Sequence, residues 1–114
     1  MIILNLIVSS KEQIDAIVNS ILRNKFAIQV VVGNAVDSYL FNTSCIKEHT
    51  VAYPIQFVTK SMLFSEIEAS LKKEFPQTDF YICATPIVLM AINFHNKIKK
   101  RVVGSNLIGK ETEN

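Results

Sequence analysis

Two long β-prone runs constrain this chain most, because together they predict a hairpin too long for one small domain to cover. The runs are Phe26–Phe41 and Cys45–Lys60, and Asn42-Thr43-Ser44 between them is a turn signal. Gly33-Asn34 interrupts the first run and Pro54 interrupts the second, at similar distances from the turn. Because glycine and proline mark bulges and bends in strands, we expect the two interruptions to lie opposite each other at one shared bend.

The part of the hairpin beyond this bend, Asn34 to Tyr53, is predicted to project from the domain, and we call it the ribbon. An isolated two-stranded hairpin is marginal in water, because ordering the backbone costs roughly 1–2 kcal/mol per residue. Burying about four large apolar side chains against a neighbour would return on the order of 6 to 12 kcal/mol. The ribbon therefore predicts self-association through an interface formed by Val36, Tyr39, Phe41, Val51 and Tyr53.

Length and composition indicate one domain with subunit contacts. The 114 residues can bury one core, which we place in residues 1–103, and we expect residues 104–114 to form a flexible tail. Apolar residues make up 49% and mean hydropathy is +0.27, which is high for a small monomer, yet no apolar run is long enough to span a bilayer. The net charge of +2 gives no overall field that favours nucleic acid or a membrane.

The N-terminal segment and the cysteines favour the cytoplasm. Met1–Val8 is apolar but lacks the basic start and the cleavage site of a signal peptide. Cys45 and Cys83 are too few for a disulfide framework or for a zinc site built on cysteine pairs, so we expect reduced thiols, with Cys83 as a small core residue.

Hydrophobic periodicity predicts the first two elements. The apolar run Ile2–Val8 has the pattern of a central strand buried on both faces. Ser9 and Glu12 then form a capping-box pattern, and apolar residues at helical spacing predict a helix as far as Asn24.

The second half of the chain predicts two more helices and another strand. Ser61 can cap a helix that ends before Pro76, and Thr78–Thr85 alternates as a strand. Apolar residues from Ile87 to Val102 keep helical spacing, with a basic run, Lys97–Arg101, near the end of that helix.

The predicted order is βαββαβ followed by a third helix. Right-handed crossovers place the two main helices on one face of a four-stranded antiparallel sheet. The sequence thus predicts an α+β, ferredoxin-like plait with a long hairpin between its second and third strands and an extra C-terminal helix. Many functions share this fold, so the fold alone assigns none of them.

Several short stretches match the pattern of one family. Ile82-Cys83-Ala84-Thr85-Pro86-Ile87 is similar to a strand ending Ile-Ile-Ala-Leu-Pro-Ile, and Val58-Thr59-Lys60-Ser61 is similar to Ile-Ile-Lys-Thr. Phe26-Ala27, Val30 and Ser38-Tyr39 fall at matching positions of a long second strand. These are features of the CutA-type divalent-cation tolerance proteins, which resemble the PII signalling proteins in fold. The resemblance covers roughly residues 3 to 88 and implies a homotrimer whose hairpins lock neighbouring subunits.

The resemblance is lost at potential metal ligands. Where that family carries the cysteine and asparagine of Cys-Val-Asn, this chain has Gln29 and Val31, and His-Pro-Tyr-Glu is replaced by Phe75-Pro76-Gln77-Thr78. The tryptophan that follows the family's last strand is absent, since the chain has none. The resemblance therefore carries over no metal site.

The ribbon itself contains candidate metal ligands. Cys45 and His49 cannot share an ion, because residues four apart on a strand lie about 13 Å apart. Asp37 and His49 become cross-strand neighbours if the turn is centred on Thr43, and they could hold Cu(II) or Zn(II) with a third ligand from another subunit. Such a pair is more often an ordinary surface ion pair than a metal site.

These patterns favour a CutA-like, homotrimeric, non-catalytic binding or regulatory protein, and they leave alternatives open. A PII-like sensor would take small ligands in clefts between subunits. Among enzymes on this plait, an acylphosphatase needs an arginine where the chain has Ser9-Ser10-Lys11, and a tautomerase needs an N-terminal proline. An RNA-binding plait could stack bases on Tyr53 and Phe57, but the surrounding residues lack the glycines and the basic start of that motif. Lys97–Arg101 could bind an anion or phosphate, or could be a solvated helix end.

Overall fold

The computed structural model describes residues 1–41 and 48–104. The strands are β1 (Ile2–Val8), β2 (Val30–Val32), β3 (Val36–Leu40), β4 (Glu48–Thr59) and β5 (Tyr81–Pro86), and the helices are α1 (Ile14–Arg23), α2 (Phe64–Glu74) and α3 (Ile92–Arg101). Short 3-10 turns, Lys11–Gln13 and Ser61–Leu63, lead into α1 and α2. The predicted turn 42–44, Cys45 and residues 105–114 of the predicted tail lie outside the described residues.

The strands form one antiparallel sheet in the order β2-β4-β1-β5, and β3 also pairs with β4. Side chains of α1 and α2 pack against one face of this sheet. The ferredoxin-like prediction is confirmed, with the second predicted strand divided into β2 and β3. None of the helices in the described ranges has the length and apolar content needed to cross a bilayer.

The core lies between the two main helices and the sheet. In α1, Ile17 and Ile21 are one turn apart and fully buried, as helical periodicity requires. The core cluster comprises Leu4, Leu6, Val8, Ile17, Ile21, Phe26, Ala27, Ile55, Phe57, Leu63, Ile67, Leu71, Ile98 and Val102.

The predicted bend of the hairpin is present at Gly33 and Pro54. Val32 is paired with Ile55, and the Gly33 N–H donates a hydrogen bond to the Pro54 carbonyl oxygen at 2.8 Å. A Cβ on Gly33 would lie only 2.7 Å from Cγ of Pro54. Glycine is therefore required here because the proline ring comes too close to the backbone for any other side chain.

The first arm of the hairpin starts later than predicted because its first residues end α1 instead. The Lys25 N–H donates to the Leu22 carbonyl and the Phe26 N–H donates to the Ile21 carbonyl, each at 3.1 Å. Together these bonds form a Schellman turn, with Lys25 in left-handed backbone at a φ of 60°. The strand therefore begins at Val30 rather than at Phe26.

Helix entry and the third helix also differ from the predictions. In place of a capping box at Ser9, the Ser10 hydroxyl donates to the Glu12 carboxylate at 3.1 Å within a 3-10 turn. Ser61 likewise lies inside a 3-10 turn and is not the cap of α2. The third helix begins at Ile92 and not near Ile87. The Ile87 N–H donates to the Met1 carbonyl at 3.2 Å, so Ile87 extends the pairing of β5 with the first strand. The fourth predicted strand is displaced to Tyr81–Pro86.

The prediction that β1 is buried on both faces is wrong for the single chain. Leu4, Leu6 and Val8 face the helices and are fully buried, whereas Ile7 points to the other face and is exposed. Cys83 points to that same face and is exposed, so its assignment to the core is also wrong. The main helices cover only one side of the sheet, and this leaves the second side accessible.

Two polar groups are built into the packed side of the fold. Thr59 is completely buried, and its hydroxyl donates to the Phe26 carbonyl at 2.7 Å. Between α1 and α2, the Ser20 hydroxyl donates to one Glu74 carboxylate oxygen at 2.6 Å and the Arg23 guanidinium donates to the other at 3.0 Å. These hydrogen bonds, that of Ser20 first and that of Arg23 second, hold the pKa of Glu74 below its usual value.

Candidate functional site

The ribbon carries its side chains on two faces. β3 and β4 are paired antiparallel with Tyr39 opposite His49, Asp37 opposite Val51, and Val36 opposite Ala52. Since paired residues point to the same face and successive residues alternate, Asp37, Tyr39, His49 and Val51 share one face. Val36 lies on the opposite face, so the five predicted interface residues do not form a single patch.

Most of the predicted interface residues are accessible in the single chain. Phe41 is 79% exposed and Tyr39 is 56% exposed, and Val36 and Val51 are exposed as well. Tyr53 is half-buried, because it lies where the ribbon joins the helix-covered face of the sheet and is paired with Val8. The apolar surface of the ribbon is thus available to a neighbouring molecule.

Asp37 and His49 are brought together, but as diagonal neighbours: Asp37 is paired with Val51 and His49 with Tyr39, so the direct pairing expected from a turn centred on Thr43 is not the observed register. His49 Nε2 lies 2.9 Å from Asp37 Oδ1, and the His49 ring centroid is 5.1 Å from that of Tyr39. Both side chains are exposed. Within residues 1–41 and 48–104, no group of three or more histidine, cysteine, aspartate or glutamate side chains could hold a metal ion. The pair offers two ligands, and a complete site would need another from outside these residues.

The side of the sheet opposite α1 and α2, which we call the open face, is a second accessible surface. By strand register it is formed by Ile3, Asn5, Ile7, Val31, Gln56, Val58, Tyr81, Cys83 and Thr85. Most of these side chains are apolar, and Tyr81 and Val31 are 67% and 53% exposed. An exposed sheet face with this composition is typical of a contact surface.

Polar side chains cross the centre of the open face. The Gln56 side-chain amide donates to Asn5 Oδ1 at 2.7 Å, and the Asn5 amide donates to the Thr85 hydroxyl at 3.4 Å. The three residues connect β4, β1 and β5. Asn5 was visible in the sequence as the only polar residue of the first apolar run, but its partners are set by strand register and could not be predicted.

A small cleft lies where α3 meets the edge of the open face. It has a volume of about 140 Å³ and is lined by Gln29, Val31, Gln56 and Phe94, with Ile3, Ile28, Phe57 and Val58 completing its walls. Gln29 occupies the position at which the CutA-type sequence pattern has a cysteine. The lining is apolar with two amides and no charged group, which suits a small neutral molecule better than a metal ion.

The RNA-binding alternative rests on Phe57, and the anion-binding alternative rests on the basic run Lys97–Arg101. Phe57 is 3% exposed on the helix-covered face, so it cannot stack a base on the open face. The basic run ends α3, where the Lys60 ammonium donates to the Val102 carbonyl at 2.9 Å. Burial, and secondly the nearby Lys99, lower the pKa of Lys60.

Solved structures of CutA proteins share this architecture. No protein-family model matches the sequence, and no curated protein is detectably similar to it. CutA1 from Oryza sativa superposes with a TM-score of 0.82 at 17% identity, covering 91% of this chain and 94% of that chain. CutA1 from the psychrotrophic bacterium Shewanella sp. SIB1 gives 0.80 at 19% identity, covering 89% and 94%. The periplasmic divalent cation tolerance protein CutA from Archaeoglobus fulgidus gives 0.74 at 24% identity, covering 86% and 95%. The chain therefore has the fold of the CutA divalent cation tolerance proteins, as the sequence motifs predicted.

Proposed function

We propose that this chain is a non-catalytic, homotrimeric binding or regulatory protein of the CutA type, linked to divalent-cation tolerance. The observation that carries the proposal is the likeness of fold, which extends over 86–91% of this chain in the comparisons with the three CutA structures. The ribbon and the open face support it independently, because both present apolar surface that a single chain leaves accessible.

The pattern of β1 supports an assembly in which the open face is covered. Ile2–Val8 has the nearly continuous apolar sequence of a strand buried on both sides, yet only one side is buried in the single chain. Contact between the open faces of neighbouring copies removes this mismatch. The Asn5–Gln56 hydrogen bond would then be buried between two sheets. Any polar group left without a partner there would cost stability, so only arrangements of the two sheets that keep these polar groups hydrogen-bonded would be stable.

Three-fold closure explains how the ribbon avoids open-ended association. A ring of three copies uses the same contact three times and leaves no unused surface from which a filament could grow. Each ribbon would cover apolar side chains of a neighbour, including Tyr39 and Phe41. The polar pair Asp37 and His49 shares the ribbon face with Tyr39 and would border the contact that Tyr39 makes.

We propose that metal binding by the isolated protein is weak and not stoichiometric. Asp37 and His49 supply two ligands, and the positions that resemble the family's ligands are Gln29 and Phe75. Calorimetry with Cu(II) and Zn(II) on metal-stripped protein measures this directly. One tight site per subunit that is lost in His49→Ala would contradict the proposal and assign the metal to Asp37 and His49, with a third ligand from a partner subunit.

A PII-like small-ligand sensor is the second candidate, and the cleft beside Phe94 favours it. Its volume of about 140 Å³ and its two amides, from Gln29 and Gln56, fit a small neutral ligand. This cleft borders the open face, so a ligand there would contact a neighbouring subunit in the trimer. A ligand that binds only the assembled protein would support the sensor, whereas equal binding by a dissociated variant would argue against it.

A cytoplasmic location is also part of the proposal. Its support is the small number of cysteines, which is too few for the disulfide framework of a secreted domain. Because one similar structure is named as periplasmic, location needs its own measurement. Fractionation of cells that produce the full chain should recover it with cytoplasmic markers.

The proposed role is tested by growth under metal stress. Expression in a bacterial strain that lacks its own CutA protein should restore growth in excess Cu(II). Tyr39→Asp, which places a carboxylate in the ribbon contact, should dissociate the assembly and abolish the rescue. Lys72→Ala, on the exposed side of α2, is the matched control and should rescue as the wild type does. No rescue by folded wild-type protein would contradict a role in cation tolerance.

A further inference from the structure

The turn that ends α1 places a lysine where glycine is the usual residue. Lys25 follows the C-cap Asn24 and has left-handed backbone, with a φ of 60°. Glycine predominates at this position of a Schellman turn, because a Cβ is unfavourable in that backbone conformation. Glycine would form the same turn without this strain, so the lysine side chain at this position carries a cost to the stability of the fold.

The backbone of Lys25 also fixes the chain that leaves α3. Its carbonyl accepts a hydrogen bond from the Val103 N–H at 2.8 Å, and the Lys60 ammonium holds the Val102 carbonyl at 2.9 Å. These bonds place the last turn of α3, which ends with Lys100-Arg101, beside the end of α1. Lys25 from one part of the sequence and Lys100 and Arg101 from another are thereby brought to one place.

The three cations line a cleft of about 390 Å³ together with apolar side chains. Its lining consists of Lys25, Lys100 and Arg101 with Leu22, Ala27 and Ile28. In the described part of the chain, none of these three cations forms an ion pair. Lys60 and Lys99 add further positive charge nearby, since Lys99 contributes to the lowered pKa of Lys60.

Helix electrostatics do not account for this arrangement. Attraction to the carboxyl end of a helix explains cations on the last turn of α3. It does not explain why Lys25, which follows the end of α1, lies in the same shallow cleft as the cations at the end of α3. Phosphate oxygens match such a set, because the arginine guanidinium donates in a planar fork and lysine supplies a compact point charge.

We propose that this cleft binds a small phosphate monoester, with Lys25, Lys100 and Arg101 contacting the phosphate and Leu22, Ala27 and Ile28 contacting its apolar group. The site lies on a single chain and uses no ribbon residue and no metal ligand. It can therefore fail or succeed independently of the proposed trimer and of cation tolerance.

The test is a nuclear magnetic resonance titration of the full chain with phenyl phosphate and with inorganic phosphate in 0.15 M NaCl. Phenyl phosphate should give saturable shifts of the backbone amides around Lys25 and Arg101. Inorganic phosphate has a similar charge but no apolar group, so it should bind at the same amides several-fold more weakly. Absence of saturable shifts with phenyl phosphate would overturn the proposal, as would equal affinity for the two probes.

Substitutions separate the site from general charge effects. Lys25→Gly should weaken phenyl phosphate binding roughly tenfold, the usual effect of losing one charged hydrogen bond, while its melting temperature rises because the left-handed strain is removed. Arg101→Gln should weaken binding by a similar factor. Lys11→Gln removes one positive charge at the other end of α1 and should bind as the wild type does. Unchanged binding by Lys25→Gly, or equal weakening by Lys11→Gln, would overturn the assignment.

Discussion

The bend of the hairpin gives the sharpest test of the packing, through the substitution Gly33→Ala. The added Cβ would lie 2.7 Å from Pro54 Cγ, whereas ordinary contacts of this kind are 3.4–4 Å. The pyrrolidine ring is rigid and sits in β4 between two neighbouring strands, so it cannot turn aside. Overpacking of this kind costs about 1–3 kcal/mol, and reduced freedom of the unfolded chain returns about 0.4–1 kcal/mol. We therefore expect a net loss of about 1–2 kcal/mol in the free energy of unfolding.

A double-mutant cycle with Pro54→Ala isolates this contact. Without the proline ring the same Cβ has room, so Gly33→Ala should be neutral or stabilising in the Pro54→Ala protein. Free energies are measured by urea unfolding at one fixed protein concentration, because association shifts apparent stability. Asn34→Ala, at the next exposed residue, is the control and should change stability by less than about 0.5 kcal/mol. An equal loss for Gly33→Ala with and without the proline ring would refute the explanation of the bend.

Two further predictions concern buried or shared hydrogen bonds. Thr59→Val should lower the free energy of unfolding by about 1–3 kcal/mol, because it leaves the buried Phe26 carbonyl without its hydrogen-bond donor. Thr59→Ser keeps a hydroxyl and should lose less. Equal stability of the two variants in urea unfolding would contradict this. Ser20→Ala should raise the pKa of Glu74 towards its ordinary value, as measured by nuclear magnetic resonance titration of that carboxyl. Because the folded pKa of Glu74 is lowered, the ionised carboxylate contributes its full stability above the unfolded pKa near 4.5, and this contribution is lost as the pH falls through the folded pKa. Ser20→Ala should therefore lose less stability than the wild type when the pH is lowered below 4.5. An unchanged pKa of Glu74 in Ser20→Ala would show that the Ser20 hydrogen bond is not the main cause of the lowered pKa.

Elements defined by hydrophobic period could be predicted from the sequence, and their ends could not. The apolar spacing of Ile17 and Ile21 predicts α1, and Gly33 opposite Pro54 predicts the bend. The capping motifs gave the wrong starts for α1 and α2, because a short 3-10 turn precedes each helix and a sequence motif does not distinguish such a turn from the first turn of the helix. The start of the first arm failed because the Phe26 N–H is used to end α1, a hydrogen bond between neighbouring elements that strand propensity ignores.

The candidate site depends on register and on contacts between distant residues, so less of it could be predicted. Counting residues about a turn at Thr43 brought Asp37 close to His49 but gave the wrong register, since Asp37 is paired with Val51 and reaches His49 diagonally. Val36 was grouped with Tyr39 in one interface although residues an odd number apart on a strand point to opposite faces. The left-handed Lys25 carried only a weak signal, the Asn24 before it, because lysine itself gives no indication of that conformation.

The central claim, that the ribbon and the open face join three copies, is tested most directly by molar mass in solution. Light scattering on purified full-length protein at micromolar concentration should give about three times the chain mass of 12.8 kDa. Tyr39→Asp should lower that mass or make the protein aggregate, while Lys11→Asp should leave it unchanged. A folded wild-type protein with the mass of a single chain would contradict the assembly, and the exposed apolar surface of the ribbon and the open face would then need a different explanation.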